Sequence, residues 1–438
     1  VTVMKFWLRL RQNFWFIPVL FSAIALYGAY ITVELDRTLT LQQKKIWFFR
    51  ALLTDVDLAK IILSSLAVAI FTMITITFSS IMVVLTTYTS QYSPRTLQNF
   101  ISDKITQRVL GVFVAGFIYI LFILLFLNQA KPKSLLITPT FAVNVAVACL
   151  AFFVYFIHHV ATWIQVNNLI SQVTERTLSS IASHFETVLG KEMPPENADL
   201  SHIADLQSVV ARDSGYIQYI DVAGLISIAA RDDVMISMER SVGDFVTKGG
   251  QIFSYRRGSE KEIRIQEYLD LIVLGNERTT VQDIEFGLQQ LVEIALRAVS
   301  PGINDPHTAL NCINRIGTIL TTLSGYSIVR PYHYDDNGQL RLILRFEHFS
   351  YYLYKSFYQI RHYASGDLSV MEGIITTLQM IAEAGSPDIK ETIWDFSRYI
   401  TDGIDPSELM DWDKYYLNKR LWNLAVTTGF ESAYRPFE

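Results

Sequence analysis

Cysteine is almost missing: Cys149 and Cys312 are the whole complement of 438 residues. They lie in segments of different character, which excludes a disulfide framework and a cysteine zinc site. Charge is scarce at the start of the chain. The first 170 residues carry 13 basic and 5 acidic side chains, and residues 61 to 89 carry none. Enzyme signatures are also lacking. There is no P-loop, no His-Glu-x-x-His, no Gly-x-Ser-x-Gly and no dinucleotide fingerprint. The expectation is a protein that is not an enzyme, with no catalytic residues, no metal and no cofactor.

What is present is apolar surface. Half of the residues are hydrophobic and the mean hydropathy is +0.26. The remaining 268 residues carry 24 basic and 37 acidic side chains, so a part near +8 precedes one near −13. That asymmetry predicts a membrane domain followed by a water-soluble one, and the acidic balance argues against nucleic acid as a partner. Four spans are predicted, at Phe14–Val33, Ile61–Thr89, Val109–Leu127 and Phe141–Ile164, each close to the 20 apolar residues a bilayer needs. An even number of spans puts both termini on one side. Flanking Lys and Arg divide seven to seven between the sides. The first span, whose N-terminal flank is purely basic, breaks the tie in favour of cytoplasmic termini. A Val at position 1, read as an alternative start codon, points to a bacterium. The first apolar run leads into Glu34, Asp36 and Arg37 rather than a small-residue cleavage site, unlike a secretory signal.

The second span carries a line of hydroxyls. Ser65, Thr72, Ser79 and Thr86 recur every seven residues, with Thr75 and Ser90 on the same side. A lipid-facing helix has no need of such a line. It fits helix packing, in which Ser and Thr hydrogen-bond across an interface. It also fits a pore or substrate path, in which hydroxyls replace water around an ion. Asp55 and Asp57 suit a helix start before this span. Tyr92-Ser93-Pro94-Arg95 follows it, where Pro94 ends or bends the helix; Arg95 is part of a boundary loop or of a cytoplasmic gate. His158 and His159 near the end of span four point about 100° apart on a helix and cannot easily share a metal. After span four, helical periodicity runs on to Gly190, a natural C-cap.

The soluble part begins at the boundary between Gly190 and Leu200. Gly215–Asp221 alternates like a strand, Val222–Arg231 fits a helix and Val234–Met238 a strand. Ser241-Val242-Gly243-Asp244-Phe245-Val246, then Lys248-Gly249-Gly250 and an apolar strand, looks like the turn of a barrel-sandwich hairpin. No lysine stands where biotin or lipoate would attach. Glu262–Leu274 and Asp283–Val299 read as helices. In Ser300-Pro301-Gly302-Ile303-Asn304-Asp305-Pro306-His307, the Pro-Gly pair breaks the helix and Asp305 caps the next one, with Pro306 at its first position. The cap-and-corner reading stands beside a ligand site at that helix start, with Ser300, Asn304, Asp305 and His307 as contacts. Strands at Ile328–Tyr334 and Gln339–Phe346 flank an Asn-Gly hairpin turn. Helices at Tyr351–Tyr363, Leu368–Ala384 and Ile389–Ile400 precede an aromatic stretch with Trp412, Tyr415, Tyr416 and Trp422.

The predicted fold class is therefore a four-helix transmembrane domain, residues 1–190. An α+β soluble part follows, with a barrel-sandwich-like β module at 191–260 and a mostly helical domain at 261–438 that holds a β-hairpin near 328–346. Thr89-Ser90-Gln91-Tyr92-Ser93-Pro94-Arg95, Gly243-Asp244-Phe245-Val246 and the run from Asp283 to Ala309 with its Ser-Pro-Gly-Ile-Asn-Asp-Pro core give nearly the whole chain a resemblance. It resembles the bacterial predicted membrane proteins grouped as domain of unknown function 2254. The resemblance implies an inner-membrane protein with four spans and a soluble part, and supplies no catalytic residues. Two functions remain: an oligomeric ion channel or transporter with a cytoplasmic regulatory domain, or a non-conducting scaffold or sensor whose soluble domain binds a ligand or partner. The expected partners are the lipid bilayer, further copies of the chain and ions.

Overall fold

The computed structural model describes residues 16–41, 53–91, 104–127, 135–163, 165–189, 206–259, 262–326 and 332–438. The chain forms two compact units, which divide between Gln165 and Val166.

The first unit holds four long helices: α1 (Phe16–Leu41), α2 (Val56–Gln91), α3 (Lys104–Leu127) and α4 (Thr138–Trp163). Each contains a stretch of 23 to 32 residues apolar and long enough to cross a membrane. Two two-residue strands, β1 (Thr54–Asp55) and β2 (Leu135–Leu136), pair antiparallel just before α2 and α4. Asp55 Oδ1 accepts from Leu58 N at 2.8 Å, so the acid expected at this helix start does cap it. α3 packs against all three other spans. Gly116 makes this approach possible: a Cβ there would lie 2.7 Å from Cys149 Sγ on α4 and 3.3 Å from Val145 Cγ1. Small residues at such crossings let membrane helices close up and gain dispersion contact.

α5 (Val166–Leu189) opens the second unit. The sequence pattern joined it to the membrane domain as an extension of span four. Instead it packs on α8 (Ile284–Ala298) and α9 (Pro306–Ser324). The reason is its composition: Leu169, Ile170, Val173 and Ile181 are buried, so the helix is amphipathic and needs a protein partner.

The β part is one five-stranded sheet, order β3-β7-β5-β10-β9, and one of three strands, order β6-β4-β8. Its strands are β3 (Gln207–Val210), β4 (Gly215–Ile220), β5 (Val234–Met238), β6 (Phe245–Val246), β7 (Gln251–Arg257), β8 (Ile272–Gly275), β9 (Tyr332–Tyr334) and β10 (Leu340–Ile343). The helices α6 (Val222–Asp232) and α7 (Ile265–Leu269) lie between them in sequence. The barrel-sandwich reading is not confirmed. β6 pairs with β4 while β7 pairs with β3 and β5, so the turn at 243–250 links two sheets and neither closes. Residues 262–274, expected as one helix, form α7 and then β8, because antiparallel pairing with β4 captures Ile272–Gly275. β10 runs parallel to β5, so the Asn-Gly hairpin shares the sheet of the 207–257 strands. A border at 260 therefore does not follow the packing, which differs from the expected division 1–190, 191–260 and 261–438.

The rest is helical: α8 and α9, then α10 (Phe349–Tyr363), α11 (Leu368–Ala384), α12 (Pro387–Thr401) and α13 (Asp411–Thr428). Most expected bounds here agree within two residues, because caps fix them. Asp283, Asp305 and Asp367 each accept a backbone amide in the first turn of the helix that follows.

Candidate functional site

The hydroxyl line on α2 faces away from its own bundle. Leu63, Ile70, Thr77 and Val84 recur every seven residues and are fully buried. Ser65, Thr72, Ser79 and Thr86 each stand two positions further on and Thr75 two positions before Thr77, about 200° round the helix in either direction. Ser65, Thr72, Thr75, Ser79 and Thr86 are accordingly exposed on the first unit. Packing among these four spans thus does not explain them. The sequence held the signal for this: the apolar heptad of α2 runs opposite the hydroxyl heptad.

Most of these hydroxyls are already bonded. Thr72 Oγ1 donates to Val68 O at 2.9 Å, Thr75 Oγ1 to Phe71 O at 3.0 Å, and Thr86 Oγ1 to Met82 O at 2.8 Å. Ser80 and Thr87 do the same one turn back. Such bonds satisfy the donor without a partner helix and leave the oxygen lone pairs outward. Thr75, Ser79 and Ser80 line a shallow open groove of about 380 Å³ that Val160 of α4 borders. The far end of the span, Tyr92, Ser93, Pro94 and Arg95, lies outside the described residues, as does the side chain of Ser90. His159 stacks on Tyr155 with ring centroids 6.2 Å apart. Among the described residues no group of His, Cys, Asp and Glu is placed to hold a metal.

A second polar feature of the first unit escaped the sequence reading. Asp36 is buried near the end of α1. Its Oδ1 accepts from Ile137 N at 2.7 Å, and its carboxylate also accepts the Thr138 hydroxyl. It therefore caps α4 from a different helix, with its charge at the positive helix end. Tyr119 OH donates to Thr32 Oγ1 at 3.2 Å beside it. An acid inside an apolar helix is the signal that marks it.

The corner of the second unit behaves as a cap. Asp305 accepts from Thr308 N at 3.1 Å and from Thr308 Oγ1 at 2.7 Å. These bonds from Thr308 hold its carboxyl below the usual range. Asn304 takes a left-handed φ of 49°, and Ser300 Oγ donates to Arg297 O at 2.7 Å. Asn304 and His307 are exposed. The chain's own carboxylate thus occupies the helix start that an anion would use.

The same stretch opens on a buried ion pair. Arg278 Nε and Nη2 bind Asp283 at 2.7 and 2.8 Å, and Nη2 reaches Glu285 at 3.3 Å. Gly243, with φ 94°, sits against both: a Cβ there would lie 2.5 Å from Asp283 Oδ2 and 2.7 Å from Arg278 Nη2. That contact explains the glycine of the Val-Gly-Asp turn. Burial raises the Tyr352 phenol nearby, and the charges of Asp283 and Glu285 add to it. With its acceptors and donors paired internally, the cluster holds elements together.

The chain belongs to the family of predicted membrane proteins DUF2254, whose match spans residues 11–380. It is 30% identical over 334 residues to an uncharacterized protein of Mycobacterium bovis and to one of Mycobacterium tuberculosis strain H37Rv. The matched stretch is 74% of this chain and 64% of each relative, so the chain spans less than two thirds of their length. No solved structure matches.

Proposed function

We propose that this membrane protein acts as an oligomeric ion channel or transporter, with the hydroxyl face of α2 turned to the path or to other copies. One observation carries this reading. The hydroxyls of α2 stand on the side its own bundle leaves open, at Ser65, Thr72, Thr75, Ser79 and Thr86. In lipid alone that face gains nothing from being polar, whereas lone pairs of Thr and Ser can stand in for water around an ion. The second part of the chain, near −13, concentrates cations if it forms the cytoplasmic vestibule.

A specific observation favours the second reading, a non-conducting scaffold or sensor: Thr72 and Thr75 donate to carbonyls of their own helix, which satisfies those donors locally. Purified protein in liposomes tests the two. A channel passes ions, and Ser79→Leu lowers the flux several-fold while the oligomer stays intact. An intact oligomer without flux across a range of ions, voltages and membrane tensions selects the scaffold.

A further inference from the structure

α11 and α13 pack together in the second unit and leave an open hollow of about 330 Å³ between them. Leu368 and Glu372 line it from α11, four residues apart and so on one face of that helix. Trp412, Asp413, Tyr416 and Leu417 line it from α13, as two adjacent pairs one turn apart. Leu417 is buried, whereas Trp412 is 72% exposed and Tyr416 51%. The rings of Trp412 and Tyr416 lie 6.1 Å apart and only 24° from parallel, so they present one nearly continuous aromatic surface. Tyr415 meets both edge-on, at 6.2 and 5.3 Å, which braces them.

Four rings elsewhere in this unit carry a cation of the chain itself. Arg257 stands over Tyr255, Arg278 over Phe286, Lys355 over Tyr351 and Arg361 over Tyr399, each 4.4 to 5.8 Å from the ring centroid. Among the described residues no cation stands over Trp412, Tyr415 or Tyr416. Two of the nearby ones are engaged elsewhere. Arg420 Nε binds Glu372 Oε1 at 2.8 Å, and Lys414 donates to the carbonyl of Glu438.

The charge around these rings is negative. Asp367 and Glu372 at the start of α11, with Asp405, Glu408, Asp411 and Asp413 leading into α13, make six acids against the three cations Lys414, Lys419 and Arg420. The two helix starts return only about half a positive charge each, so the balance stays negative. Asp413 is the acid on the hollow itself that lacks a counter-charge. Its Oδ2 accepts from Met410 N at 3.1 Å, and no cation among the described residues pairs with it.

We propose that this hollow binds a small quaternary ammonium compound, seated on the faces of Trp412 and Tyr416 with Asp413 as its counter-charge. The negative face of an aromatic ring attracts such a cation. A quaternary nitrogen also has no N–H that must find an acceptor. A primary ammonium is compact and strongly hydrated, and Leu368 and Leu417 beside the rings return nothing for the water it would lose. The hollow is at the lower end of the size range of small-molecule sites, which suits a choline-sized head. The surrounding acids repel an attached phosphate, so the free cation is favoured over a phosphocholine group. The site lies wholly within the second unit and is independent of whether the spans conduct.

Choline titrated onto the full chain in maltoside micelles tests this, with saturation-transfer NMR on its N-methyl signal. Binding should saturate and should be about tenfold tighter than that of dimethylbutanol, the uncharged carbon isostere of choline. Equal affinities reduce the site to an apolar hollow and overturn the proposal, as does the absence of saturable transfer. Ethanolamine should bind several-fold more weakly than choline; equal or tighter binding refutes the quaternary assignment. Glycerophosphocholine should also bind several-fold more weakly, and tighter binding moves the site to a lipid headgroup. Trp412→Leu should abolish the transfer, while Trp412→Phe keeps a ring face and loses less. Equal losses in the two refute the role of the ring. Asp413→Asn retains an acceptor for Met410 N and should weaken choline several-fold without changing dimethylbutanol; an unchanged choline affinity removes the counter-charge.

Discussion

In the membrane unit, Thr72, Thr75, Ser80, Thr86 and Thr87 donate to carbonyls one turn back in their own helix. In the second unit, Asp221, Asp283, Asp305 and Asp367 accept the amides that open the helix after them. Both arrangements are local, yet they leave different freedom. A hydroxyl that donates to its own helix has its donor satisfied locally, so the bond leaves the path of the chain unchanged. A capping carboxylate ends one element and starts the next, so it fixes the path of the chain. Each unit also has a buried carboxylate tied to a partner outside its own turn: Asp36 at the start of α4, and Asp283 to Arg278. Tertiary structure is most vulnerable at those two.

The largest effect is expected at Arg278. Arg278→Ala leaves the Asp283 carboxylate buried without its partner and should cost about 3–5 kcal/mol, read from denaturant unfolding of the solubilised chain by tryptophan fluorescence. A loss below 1 kcal/mol would show that solvent reaches the cluster. Asp36→Ala should cost about 1–3 kcal/mol by leaving Ile137 N and the Thr138 hydroxyl unpaired, while Asp36→Asn keeps one acceptor and loses less. Thermal unfolding in detergent ranks the two, and equal melting points would remove the interhelix cap from the account.

Asp305 supplies a test in pH. Its folded pKa is depressed, first by the hydroxyl and amide of Thr308. Its stabilisation is therefore complete above the unfolded carboxylate pKa of about 3.9 and is lost as pH falls through the folded value. Asp305→Asn, also a good cap, should match the parent near neutrality and lose less stability on acidification. A parallel acid profile would place the titration elsewhere. The smallest effect belongs to α2. Thr72→Val should change stability by no more than about 0.5 kcal/mol, since the face it occupies packs on nothing in its own bundle. A cost above 1 kcal/mol in the oligomer but not in the monomer would make that face an interface between copies.

Local rules made the second unit's helices legible. Asp305-Pro306 and Asp367-Leu368 start α9 and α11 where capping chemistry puts them. The same rules failed at Glu262–Leu274, because nothing within that stretch announces that Ile272–Gly275 will pair with β4. They failed at 241–257 for the same reason: the Gly-Asp turn was readable, but the sheet that β7 joins was not. At the candidate site the hydroxyl line was plain, while its direction needed the buried heptad of α2 to be read beside it.

Features that depend on neighbours in the chain were readable without the fold: the four apolar spans, the charge asymmetry, the caps and the Asn-Gly turn. Tertiary structure alone decided what depends on partners far along it. α5 turned to α8 and α9, because an amphipathic face finds its partner only once those helices exist. The hydroxyls of α2 turned outward, because Leu63, Ile70 and Val84 were claimed by the bundle. Trp412 and Leu368, 44 residues apart in sequence, line one hollow because α13 packs back on α11.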